Sequence, residues 1–232
     1  ISVLIPFIVY TKLSHQSSQT DMDRNIFFFP KKSVDDYVVL KPVVTGPLNN
    51  FTVCLRSYTE VGNSALFTLG TPKSQVRNMF VIYQSHIPYS LPFYYSIIYI
   101  NNTQVYITGK ANPLDWNHIC VTWDSDTGVL QLWVNGKVSP LAVLQKGFSI
   151  DLQDGISLGQ MQRYYRYHSM EWDREASFQG EITDVHMWNE VLPPETIWQV
   201  QRNSWYTSGN VISWRSLNYA INGDVIVQPK LY

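Results

Sequence analysis

The chain has 232 residues, 45% of them hydrophobic, 14% aromatic and 15% charged, a composition that buries a sizeable core and excludes disordered and fibrous classes. Its 17 Lys and Arg against 18 Asp and Glu leave a net charge of −1. No global field therefore draws it to nucleic acid or to an anionic membrane, and a partner must be read by a local site.

Ile1 to Tyr10 is almost entirely apolar, and Leu13 to Ser18 separates it from the charged Asp21-Met22-Asp23-Arg24. A run of that length is too short to span a bilayer and suits the apolar part of a secretory signal. Residues 1–18 are accordingly read as a signal peptide trimmed at its start, with export as the expected fate, and residues 19–232 as one mature domain. The alternative is a buried first strand. Cys54 and Cys120 are the two cysteines. In an oxidising compartment an even count favours pairing, whereas two buried thiols would follow if export failed. Asn50-Phe51-Thr52 and Asn101-Asn102-Thr103 are glycosylation sequons, which makes Asn50 and Asn101 candidate acceptors.

Along the mature chain, short runs rich in Val, Ile, Tyr, Phe, Trp and Thr recur between turn signals. Tyr37 to Leu40, Phe51 to Tyr58, Met79 to Gln84, Tyr94 to Ile100, Gln104 to Thr108, His118 to Trp123 and Val129 to Val134 are the predicted strands. The last ends at Asn135-Gly136, a strong two-residue hairpin signal. Its alternation puts Leu130, Leu132 and Val134 on a core face and Gln131 and Trp133 on the other, with Trp133 expected to be half-buried. Pro193-Pro194-Glu195 starts a short helix that Ile197 to Gln201 carries onward. No internal repeat or Gly/Ser linker interrupts the chain, so the fold class is all-β, a two-sheet antiparallel sandwich with one short helix.

His118-Ile119-Cys120-Val121-Thr122-Trp123-Asp124-Ser125 matches a signature of His, Cys, Ser or Thr, Trp, and Ser or Thr at fixed spacing, and by it the chain resembles the short pentraxin family. Gln19-Thr20-Asp21-Met22, Asn50 to Leu55, Leu158-Gly159-Gln160, Gly180-Glu181-Ile182 and Met187-Trp188 through Leu192-Pro193-Pro194 extend the resemblance over the mature chain. The resemblance implies a flattened jelly roll, a Cys54–Cys120 disulfide and a cyclic pentamer. It also implies calcium-dependent, pattern-recognition-type binding of small polar head groups or glycans in innate immunity.

Against that pattern the ligand loops are altered. Arg77-Asn78 stands where the family has Asp-Asn, Met161-Gln162-Arg163 where it has Glu-Gln-Asp, Asp173 near its second Glu and Ala176 near its Gln. The residual calcium positions are thus Asn78, Gln162 and Asp173, whereas calcium needs 6–8 oxygens and net negative charge. Like charges some 4 Å apart repel by roughly 4 kcal/mol at an effective dielectric near 20. Weak or absent calcium binding is expected, with Glu171, Asp173 and Glu175 pairing instead with Arg77, Arg163, Arg166 or Arg174. Tyr83 takes the position whose aromatic face receives choline methyls in the family, by cation–π attraction. The family's acidic partner to the ammonium falls near the uncharged Thr103 and Gln104. Tyr164-Tyr165-Arg166-Tyr167-His168 is a second candidate recognition surface.

Two rival classes remain at this stage. Glu171-Trp172-Asp173-Arg174-Glu175 is similar to the carboxylate pair of jelly-roll glycoside hydrolases, but residues i and i+4 of a straight strand lie about 13 Å apart and retaining hydrolysis wants about 5–5.5 Å. A laminin-G-like adhesion module shares the sandwich. No phosphate loop or nucleophile constellation stands out, so a binding protein is preferred to an enzyme.

Overall fold

The computed structural model describes residues 19–71, 74, 78–86, 93–110, 115–162, 171–203 and 206–231. In chain order the strands are β1 (Asn25–Phe29), β2 (Tyr37–Leu40), β3 (Asn50–Tyr58), β4 (Ser64–Leu69), β5 (Phe80–His86), β6 (Phe93–Ile100), β7 (Thr103–Lys110) and β8 (Asn117–Asp124). They continue as β9 (Val129–Val134), β10 (Lys137–Val138), β11 (Ala142–Val143), β12 (Ile156–Leu158), β13 (Gly180–Trp188), β14 (Tyr219–Asn222) and β15 (Ile226–Pro229), with one helix, α1 (Pro194–Gln201). One sheet runs β10-β9-β8-β3-β13-β1-β15, with β11 added to β9, and the other runs β14-β2-β12-β4-β5-β6-β7. The expected two-sheet all-β sandwich is what forms.

Alternation builds the core. Phe51, Val53 and Leu55 of β3 stand opposite Trp123, Val121 and Ile119 of β8, and all six are fully buried. From the facing sheet come Phe67, Phe80, Ile82, Ile98, Ile156 and Leu158, also without exposure. Phe51 bridges the layers, its ring 4.7 Å from Phe80 and 5.5 Å from Trp123. Each such side chain contributes about 1.5–3 kcal/mol of burial, so the inner faces hold the sheets in register. Asn135 and Gly136 both take positive φ, 49° and 78°, the conformation a two-residue hairpin turn demands, and pair Lys137 with Val134. At Gly159, φ is 85° and a Cβ would come 2.5 Å from the Phe29 ring, so no larger residue fits the turn that leads into the candidate loop.

The two outward faces differ. On the β3–β8 sheet, Cys54 and Cys120 are direct cross-strand neighbours joined by a disulfide. α1 lies over them, and Ile197 and Val200, three apart on one helical face, close a second apolar cluster with Trp133, Trp188 and Leu192. Trp133 is therefore 5% exposed and not half-buried, because a distant helix covers a strand face whose alternation alone reads as outward. Pro194 at the helix start supplies a φ already helical and lacks only an amide that has no acceptor there. No helix of the described residues is long and apolar enough to cross a membrane.

Candidate functional site

The other outward face carries the candidate site. Core-facing Ile82 and Ile98 turn their neighbours outward, and register lines up Tyr83 with Ile97 and Tyr106, and Val81 with Tyr99 and Gln104. Tyr83, Tyr99 and Tyr106 thus share one surface, and Gln104 Nε2 donates to the Tyr106 hydroxyl at 2.7 Å. Burial, then Tyr99, then the carboxylates of Asp173 and Glu175 push the Tyr83 phenol up to about 12. The Tyr99 phenol is raised too, by burial and by Tyr106. Both rings stay neutral across the physiological range, so they offer an O–H donor and an uncharged π face.

Beside the tyrosines, two segments close the stem of a loop. Gln162 and Trp172 form an antiparallel bridge, and the Asp173 amide donates to the Met161 carbonyl at 2.8 Å. Asp173 then caps a single 3₁₀ turn, Arg174–Ala176, its Oδ1 accepting from the Glu175 amide at 3.1 Å. That bond spends one carboxylate oxygen on the backbone. Gln162 is buried and its Nε2 donates to the Thr71 carbonyl at 3.2 Å, tying the stem to the segment after β4. Asn78 lies just before β5 with φ 46°, is buried, and its Oδ1 has no hydrogen-bond partner. Ala176 is buried and brings no donor.

One cation meets this loop that sequence reasoning missed. Lys32 Nζ donates to the carbonyls of Glu175 at 2.7 Å, Asn63 at 3.0 Å and Gly62 at 3.2 Å, filling its three N–H bonds with backbone oxygens. Burial lowers its affinity for the proton, while Glu175 and Asp173 oppose that. Buried Gln160 makes a second tie: its Nε2 donates to the Ser33 and Asp36 carbonyls, and its backbone carbonyl accepts from Thr68 Oγ1 at 2.6 Å. The β1–β2 connection is thereby fastened to the candidate loop at two points.

Arg77, Arg163, Arg166 and the aromatic run 164–168 lie outside the described residues. Arg174, the remaining member of the expected arginine–carboxylate cluster, makes no ion pair among the described residues, and Lys32 is the cation against Asp173 and Glu175. Glu171 to Glu175 is a bridge followed by a 3₁₀ turn, not a strand lining a cleft. Asn50 opens β3, and Asn101 begins the tight β6–β7 turn; both are partly exposed.

Away from this face, ligand atoms of Cys54, His118 and Cys120 lie within 4.8 Å of one another. Both sulfurs are consumed by the disulfide, so no thiolate is left for a metal. His118 Nε2 stands 3.6 Å from Cys120 Sγ, beneath the helix side of the sandwich.

Comparison with known proteins gives the same fold. The sequence profile of the Pentaxin family matches residues 25–229. C-reactive protein of Xenopus laevis is 40% identical over 219 residues, covering 94% of this chain and 88% of that protein. Serum amyloid P-component of Rattus norvegicus is 37% identical over 233 residues, covering 99% and 96%. Among solved structures, the native heptameric SAP-like pentraxin of Limulus polyphemus superposes with a TM-score of 0.77 at 21% identity, over 90% of this chain and 97% of that one.

Proposed function

The chain belongs to the Pentaxin family and is a pentraxin-type binding protein, and from that premise we propose that its binding face works with little or no help from calcium. The family binds calcium in general. Here the positions that correspond to its ligands offer Asn78 Oδ1, the Asp173 carboxylate and Gln162, with Arg77, Met161, Arg163 and Ala176 in place of the rest. One carboxylate, already bonded to the Glu175 amide, is a poor match for an ion that takes 6–8 oxygens. This donor set does not fit a tightly held calcium ion.

The observation that carries the reading is Lys32. A calcium ion in such a face orders loops by gathering their oxygens, and the Lys32 ammonium gathers carbonyls from the β3–β4 connection and from the 3₁₀ turn. A cation fixed to the chain does that without exchange with solvent. The expected ligands are small polar head groups or glycans that rest on Tyr83 and its neighbours. Export of the mature domain, closure into a ring of copies, glycans at Asn50 and Asn101, and the absence of catalysis belong to the same proposal. Solution mass tests the ring, because a monomer would refute it.

Two measurements test the metal reading. Calorimetric titration with calcium is expected to give no micromolar site, and thermal unfolding to be unchanged by chelator; micromolar affinity would overturn it. Lys32→Met is expected to loosen the loop, seen as at least tenfold faster proteolysis near residues 171–177, with Lys32→Arg intermediate. Equal cleavage of the wild type and Lys32→Met would remove the lysine from this role.

A further inference from the structure

Between the sheets, where β6 and β7 of one face β9 and β10 of the other, a cavity of about 510 Å³ opens to solvent. That lies inside the roughly 300–1,000 Å³ range of small-molecule sites. Ile107, Leu132, Val134 and Val138 give it apolar walls. It is separate from the tyrosine face, which points outward from the same strands.

Two polar groups of the lining are unmatched. Ser96 is 1% exposed and its Oγ has no hydrogen-bond partner, an uncommon state for a buried hydroxyl. Lys137 stands exposed at the rim and makes no ion pair among the described residues. Thr108 is exposed and belongs by alternation to the outward face with Tyr106; of the remaining polar groups, Asn135 Oδ1 accepts from the His118 amide at 2.8 Å, and Ser139 Oγ accepts from the Leu132 amide and donates to the Pro140 carbonyl. The chamber therefore presents a hydroxyl inside, an ammonium outside and hydrocarbon between.

We propose that this chamber binds an oxygenated amphiphile, a medium-length aliphatic carboxylate whose carboxylate meets Lys137 and whose far end carries a hydroxyl or carbonyl oxygen that reaches Ser96. The hydrocarbon between supplies the affinity, at about fourfold per buried methylene. The two polar contacts set direction and selectivity: one satisfies a group that is otherwise desolvated without return, and the other is a rim charge that salt weakens. A plain fatty acid leaves Ser96 unmatched and binds less well.

Isothermal titration with 12-hydroxydodecanoate and with dodecanoate, on the full chain and below their micelle concentrations, tests this. The hydroxylated acid is expected to bind saturably and about fivefold more tightly. Ser96→Ala removes a single atom and is expected to erase that preference without unfolding the chain. Lys137→Glu, an exposed change, is expected to weaken both acids at least about threefold while leaving 1,12-dodecanediol unaffected. No saturable binding of 12-hydroxydodecanoate up to about 100 μM, equal affinity for the two acids, or a preference that survives Ser96→Ala would each overturn the assignment. The site and the calcium reading of the tyrosine face fail separately, because neither shares a residue with the other.

Discussion

Replacing Cys54 and Cys120 together by Ala lowers the free energy of unfolding by about 4 kcal/mol, the value chain entropy assigns to releasing a loop of this length. The bridge closes a sequence separation of 66 residues between neighbouring strands of one sheet. It therefore constrains the unfolded chain far more than it constrains the folded one, where the cross-strand hydrogen bonds of β3 and β8 already hold the two positions. A loss of this size is a large fraction of the 5–15 kcal/mol that keeps a typical domain folded. Urea denaturation separates the mechanism from simple loss of packing beneath α1. Freeing the loop expands the denatured chain, so the dependence on urea steepens as the midpoint falls, whereas a packing defect shifts the midpoint at constant slope. A midpoint shift worth less than about 1 kcal/mol would show that the sheet, and not the crosslink, supplies the constraint.

How much of this was legible in the sequence depends on how far apart the cooperating residues lie. Val129 to Val134 reads as a strand because one face of it is apolar, and Asn135-Gly136 marks its turn by local chemistry alone. Ser64 to Leu69 is less legible: all six residues are buried, so the period of two that marks a half-exposed strand is erased. Trp133 is misplaced by the same rule, since the covering helix arrives some sixty residues later. At the candidate site, Asn78, Gln162 and Asp173 are found through side chains that match a pattern. Lys32 is not, because its partners are carbonyls of Gly62, Asn63 and Glu175, and a backbone oxygen leaves no mark on sequence. The one available signal is a cation placed just after Pro30, where β1 has ended and the chain turns toward the ligand face.

Acidification is expected to unfold the protein through two histidines that take no part in that face. His118 and His186 are buried on the helix side of the β3–β8 sheet. Burial, with Arg56 and then His186 adding repulsion, brings His118 down to about 3; burial, with Arg215 adding repulsion, brings His186 down to about 4. The His186 ring is held as an acceptor, its Nδ1 receiving the amides of Gly209 and Trp214 at 3.3 and 3.4 Å, an arrangement that a proton on that nitrogen breaks. In the unfolded chain both rings take a proton near 6.5, so between about pH 4 and pH 6.5 the unfolded state binds more protons and stability rises with pH. Above pH 6.5 neither state binds and the contribution is complete; as pH falls it drains away until the folded rings themselves protonate near pH 3 to 4. By pH 5 each ring has cost the folded state about 2 kcal/mol of its stability, from 1.36 kcal/mol per unit over the 1.5 units below 6.5. Urea midpoints measured from pH 8 to pH 4 should be flat down to about pH 7 and then descend steeply. His186→Gln retains an acceptor oxygen, and with His118→Gln it is expected to flatten that descent by about two protons' worth of slope. Parallel curves for the wild type and the double variant between pH 7 and pH 5 would place the acid sensitivity elsewhere.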